Sequence, residues 1–172
     1  MTTLAYKFTR PGAVSPFRDH AWVLGEWLEV EGELGLCSNG VHACRVEALP
    51  RWLDDELWRV EVDEIQDERE GLLVARRGRL LERVDGWDAE ASHELAHTCV
   101  ARALELARRV PDSLVQARTT MITAIADGPD PSATALTMYT TAHMYDEVEP
   151  GSYYEERRRQ AAWLRDRLGL DA

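Results

Sequence analysis

Lysine is almost missing from this chain of 172 residues: Lys7 stands alone among twenty basic side chains, and the other nineteen are arginine. Folding physics does not demand that skew, so we read it as GC-rich coding and expect a bacterial source. Long apolar runs are missing as well. The N-terminus, MTTLAYKFTR, holds no stretch of signal-peptide length, and no window approaches the roughly 18 apolar residues of a membrane span. A cytoplasmic protein is expected. Cysteine is scarce: Cys37, Cys44 and Cys99 cannot all pair within one chain, which argues against a secreted disulfide framework and leaves buried thiols or metal ligands. There is no low-complexity segment and no repeat of fixed period.

What is present argues for order. With 45% hydrophobic and 30% charged residues, the chain suits one ordinary domain or two small units sharing a core. Thirty-one acidic against twenty basic side chains give a net charge of -11, an unfavourable balance for a nucleic-acid backbone or an anionic membrane. Cations and basic proteins remain open as partners. The excess is spread evenly, -6 over residues 1–86 and -5 over residues 87–172.

Texture changes near Gly86. Eight of the eleven glycines precede Trp87, and short apolar runs between them predict strands. These are Leu4 to Phe8, Trp27 to Val30, Leu34 to Cys37, and Leu57 to Val62, where Trp58, Val60 and Val62 alternate with charged residues. Gly71 to Ala75 and Arg79 to Val84 read as a hairpin turning at Arg76-Arg77-Gly78. Ser38-Asn39-Gly40 is a turn, and Arg45 to Leu53 a short helix interrupted by Pro50. From Asp88 the period is helical. Asp88, Asp112 and Asp130 can each cap a helix, the last with Pro131 at its first position, and Ser152 with Glu155 forms a capping box for a helix closed by Gly169. The expected fold is α+β: a small, mostly antiparallel sheet with a short helix over residues 1–86, then four helices over residues 87–172 packed on it around a shared core.

Three constellations bear on chemistry. His93-Glu94-Leu95-Ala96-His97 matches HExxH, in which two imidazoles one helical turn apart bind zinc and the glutamate acts as base on its water. On a helical wheel the two histidines fall at the edge of the apolar stripe and Glu94 on the polar face. The usual third ligands downstream are missing, which leaves His143 or a cysteine for that place. The alternative is two boundary histidines on an amphipathic helix. Secondly, Cys37, His42, Cys44 and Cys99 can make a Cys3His zinc set, or His42 with Cys37 or Cys44 a catalytic pair, or simply a packed turn. Thirdly, Trp22, Trp27, Trp52 and Trp58 can line an apolar pocket or fill a core, and Tyr139, Tyr145, Tyr153 and Tyr154 with His143 gather near the last helix connection.

Several of these residues also carry a resemblance. Tyr6-Lys7-Phe8, the Arg10 to Phe17 segment, Leu36-Cys37 with Gly40 to Cys44, and Leu57 to Val62 resemble an uncharacterised family of actinobacterial and phage proteins. The last helix, Arg159 to Gly169, resembles the ending of those proteins and of bacterial immunity proteins with alanine-rich helices. The order of glycine turn, strand, helix and Val-Glu-Val strand is similar to ADP-ribosyltransferase-like folds, as an analogy of fold alone.

Two functions follow as expectations. The favoured one is a noncatalytic, immunity-like binding protein that presents an acidic surface to a protein partner or a small-molecule ligand. The other is a small enzyme with its site between the halves. It would use zinc on His93, His97 and His143 with Glu94 as base, or His42 with Cys44 or Cys37. The binder is favoured because each catalytic motif lacks a part that its mechanism needs.

Overall fold

The computed structural model describes residues 1–128 and 130–171. Strands β1 (Thr3–Thr9), β2 (Leu28–Glu29) and β3 (Val41–Cys44) are followed by a 3-10 helix (Val46–Arg51) and the long strands β4 (Glu56–Arg69) and β5 (Leu72–Arg83). Four helices complete the chain: α1 (Ala89–Arg109), α2 (Ser113–Ala126), α3 (Pro131–Val148) and α4 (Tyr153–Leu168). The fold is α+β, and every strand pair is antiparallel.

The strand order β2-β5-β3-β1-β4 closes on itself because β4 also pairs with β5. The inside of this ring is filled by Ala5, Val41, Ala43, Val60, Val62, Leu73, Ala75 and Leu80. Small residues suit so narrow a ring. At Gly78 an added Cβ would meet Val41 Cγ1 at 2.7 Å. Period-2 alternation sends the neighbouring side chains outward, where Tyr6, Phe8, Cys44, Leu57 and Leu72 pack on Ala91, Leu95, Cys99, Met138 and Leu164. One apolar cluster therefore takes residues from the sheet and from α1, α3 and α4.

Aspartates start three of the helices as the sequence predicts. Asp88 accepts the Ala91 amide, Asp112 those of Leu114 and Val115, and Asp130 that of Ala133. Ser92 bonds Thr134 and Arg102 meets Tyr145, so α1 and α3 run parallel. The contacts Gln116 to Ala107 and Arg102 to Glu156 set α2 and α4 antiparallel to α1.

Several expectations need correction. No hairpin turns at Arg76-Arg77-Gly78: β5 runs through it, and the turn lies at Glu70 and Gly71, both at positive φ (49° and 78°). The arginines are held on the strand, Arg76 by the Val30 and Gly32 carbonyls and Arg77 by Asp63. Leu34 to Cys37 is not a strand but part of a turn closed by a bridge from Gly35 to Asn39. Trp27 to Val30 shrinks to the two residues of β2, and the first strand of the long hairpin extends past Val62 to Arg69. The predicted helix around Pro50 is a 3-10 helix. Ser152 makes no capping bond: its backbone is in the αR region rather than the extended conformation of a cap, and the Asp146 carboxylate accepts the neighbouring amides of Gly151 and Tyr153.

Candidate functional site

His93 and His97 project from one face of α1, four residues apart, with ring centroids separated by 4.2 Å. The end of α2 returns to the same place. Asp127 Oδ1 lies 3.2 Å from His97 Nε2 and 3.9 Å from His93 Nε2. Among the described residues this is the one group of His, Cys, Asp and Glu side chains converging closely enough for a metal ion, its ligand atoms all within 4.8 Å of one another. All three residues are exposed. Spacing in α1 announced two of them. Asp127, thirty residues on, was missed, and only the antiparallel return of α2 brings it in.

Glu94 is not with them. Its carboxylate is 2.8 Å from Arg167 Nε of α4. His143, expected as third ligand, also lies elsewhere. Because α1 and α3 run parallel from Ser92 and Thr134, His143 sits about two turns beyond His93 along that pair. There it packs between the rings of Tyr139 and Tyr153, with centroids at 4.2 and 4.9 Å.

His42 is fully engaged within its own turn. Its Nε2 accepts the Cys37 amide at 3.1 Å, which leaves the proton on Nδ1 to be donated to the Gly40 carbonyl, also at 3.1 Å. Burial and the nearby Lys7 charge push its pKa down, with the bond to Gly40 opposing, so the neutral ring is favoured. Cys44 is buried, and burial pushes its thiol up to about 12 although Lys7 pulls the other way. Cys99 is likewise driven to about 12 by burial. Such thiols are inert at neutral pH. Cys37 is exposed, so the three cysteines and His42 do not form a common metal set.

The tryptophans are dispersed rather than lining one pocket. Trp22 is buried and donates to Ser15, Trp58 bonds Thr9 and Glu56, Trp52 meets Phe17 edge-on, and Trp27 lies beneath Arg77 and Arg79. What the sequence did not announce is a buried polar cluster on α4. Glu156 is fully buried and takes a bidentate bond from Arg102, while Arg157 reaches the Pro50 carbonyl and Gln160, and Gln160 the Met138 carbonyl. Its groups are bonded to one another and to backbone carbonyls, so it joins α4 to α1, α3 and the 3-10 helix rather than presenting a ligand site.

A different surface is open. Val23 and Leu24 are 57% and 59% exposed, and beside them Glu26, Glu29, Glu31 and Glu33 face solvent. None of these four carboxylates is in an ion pair among the described residues. The backbone beneath is fixed. Gly25 bonds Leu80, β2 pairs with β5, Arg76 holds the Val30 and Gly32 carbonyls, and Asn39 holds those of Glu31 and Glu33. Next to it, Glu33, Leu34, Gln66 and Asp67 help line a groove of about 530 Å³.

No family model, curated protein or solved structure matches this chain. The resemblances drawn from its sequence thus rest on the residues quoted for them. No helix among the described residues is long and apolar enough to cross a membrane.

Proposed function

We propose that this chain is a noncatalytic binding protein that engages a basic protein partner through the surface around residues 23–33. The observation that carries this reading is the contrast within that segment: a backbone tied down at Gly25, Val30, Glu31, Gly32 and Glu33, with the Val23, Leu24, Glu26, Glu29, Glu31 and Glu33 side chains left exposed. Two exposed apolar residues beside four carboxylates that are in no ion pair among the described residues match the anatomy of an interface, with an apolar centre and a charged rim that selects a partner of opposite sign. A rigid backbone lowers the ordering cost of association. The net charge of -11 adds long-range attraction for a basic partner. The likeness of the last helix to bacterial immunity proteins points the same way, towards a basic toxin. The enzyme reading loses support from the same geometry, because Glu94, His42, Cys44 and His143 are each engaged within the fold.

The test is co-expression with the product of the neighbouring gene, followed by association kinetics at low and high salt. Changing Glu26, Glu29, Glu31 and Glu33 together to glutamine should slow association and flatten its salt dependence. Changing His93 and His97 to alanine should leave both unchanged. Association that survives the glutamate changes but needs the histidines would overturn the reading.

A further inference from the structure

We infer that His93, His97 and Asp127 bind one zinc ion, which clasps the end of α2 to the side of α1. Zinc holds imidazole nitrogen and carboxylate oxygen at roughly 2.0–2.2 Å, so tetrahedral ligands stand about 3.3–3.5 Å apart. Asp127 Oδ1 is already 3.2 Å from one imidazole nitrogen and 3.9 Å from the other. The ligand atoms all lie within 4.8 Å of one another, so closing the set to zinc distances takes a shift of about an ångström, which rotation of three exposed side chains can supply. The two histidines are held in register by 21 residues of α-helix, and Asp127 caps the neighbouring helix, so little backbone needs ordering.

Electrostatics at the end of α2 favours the same ligand. A helix C-terminus carries partial negative charge, usually met by lysine or arginine in the last turn. The last turn of α2 contains no basic residue, and Asp127 adds a carboxylate there. A divalent cation supplies the missing positive charge.

The position explains what the ion does. The main apolar cluster draws on α1, α3 and α4 but on no residue of α2. That helix packs through one seam, Val115, Thr119, Ile122 and Ala126, against α1 and α3, with Arg118 paired to Glu147 of α3. Its start is tied by Gln116 to the Ala107 carbonyl, and zinc would tie its finish. Three protein ligands leave a fourth position to water, but Glu94, the residue that HExxH chemistry needs as base, is paired with Arg167. The site is a clasp rather than a hydrolytic centre. This inference does not depend on the proposed binding surface, which lies on the sheet.

The experiment uses the full chain, purified without a histidine tag, titrated calorimetrically with zinc chloride in a non-chelating buffer. Amide hydrogen exchange is then measured with and without zinc. One zinc per chain is expected, with slowed exchange in α2. His93→Ala, His97→Ala and Asp127→Asn should each weaken uptake by roughly tenfold or more, since even partners one shell further out are worth 10–100-fold in metal affinity. All three positions are exposed, so these variants keep their fold, which circular dichroism checks. No saturable one-to-one uptake, or uptake unchanged in the three variants, overturns the site. Uptake that leaves α2 exchange unaltered overturns the clasp.

Discussion

Tyr6 and Asp171, 165 positions apart, are joined at the outer face of β1: the tyrosine hydroxyl accepts the Asp171 amide at 2.8 Å and donates to its carbonyl at 3.4 Å. Arg59 completes the strap, bonding the Asp171 carboxylate at 2.6 Å while its guanidinium lies 6.0 Å from the Tyr6 ring centre. Burial raises the Tyr6 pKa, with the bond to Asp171 opposing, so the hydroxyl is a proton-bearing donor at neutral pH. The end of the chain is thereby fastened to its first strand.

Tyr6→Phe keeps the ring and deletes both bonds. A loss of about 0.5–1.5 kcal/mol in stability is expected, the usual net worth of a hydrogen bond or two at a partly buried site. Urea denaturation should show a lower midpoint with an unchanged slope, because the folded surface is the same. A midpoint equal to that of the wild type would mean the strap contributes nothing.

Arg102 and Glu156 make a larger claim on stability. Glu156 is 0% exposed and meets Arg102 at 2.6–3.0 Å through three contacts. Arg102→Met strands a buried carboxylate whose remaining ion-pair partner among the described residues is Arg159 at 3.4 Å, and should destabilise by roughly 3–5 kcal/mol. Adding Glu156→Leu removes the stranded charge and should recover most of that loss. Thermal and denaturant midpoints of the two single variants and the double variant decide it, since additive losses would contradict a coupled pair.

Glu56 should govern part of the acid sensitivity. Burial opposes its ionisation, yet the Ala13 and Gly12 amides and the Arg83 guanidinium hold its pKa below the ordinary glutamate value of 4.5. A depressed carboxylate pKa stabilises the fold fully above the unfolded value, and that stability drains away as pH falls through the folded one. Glu56→Gln should therefore be less stable than the wild type at pH 7, with the gap closing below pH 4.5. A gap independent of pH would leave the ionised carboxylate without a role in holding residues 10–13.

Lys7 sets the opposite end of the range. Burial lowers its pKa from 10.5 to about 8, even though its ammonium donates to the His42 carbonyl at 2.9 Å. Between those two values the unfolded chain still holds a proton that the folded chain has released, so stability rises with pH across that window. The wild type should gain on Lys7→Met between pH 8 and 10.5, read as the difference in urea midpoints. A constant difference would place the lysine in water.

Local signals were legible and distant ones were not. Asp88, Asp112 and Asp130 start helices through bonds to amides within three residues, so a short window contains the whole cause. The alternation of Val60 and Val62 with charged residues identified the core face of β4 for the same reason. Arg76-Arg77-Gly78 misled because a glycine after two arginines has the composition of a turn. Gly78 is instead required by Val41, a residue on another strand. Ser152 had the right spacing to cap α4, but its backbone is already αR rather than extended, which spacing does not reveal. In the candidate site, four-residue spacing placed His93 and His97 together, whereas Asp127 depends on how α2 folds back. Glu156, Arg157 and Gln160 sit in a run that is polar throughout, and nothing nearby in sequence marks which members turn inward.

The long strand β5 has a consequence for how the chain is made. It alone pairs with β2, β3 and β4, so the ring of strands stays open until residues 72–83 exist. A nascent chain ending at Glu70 offers β1 paired with β3 and β4, each of these outer strands with a bare row of amides and carbonyls on its far side. Bare strand edges recruit other chains. Strand β5 thus covers the edges of β3 and β4 together, and a chain cut before Leu72 is expected to aggregate where the whole chain does not.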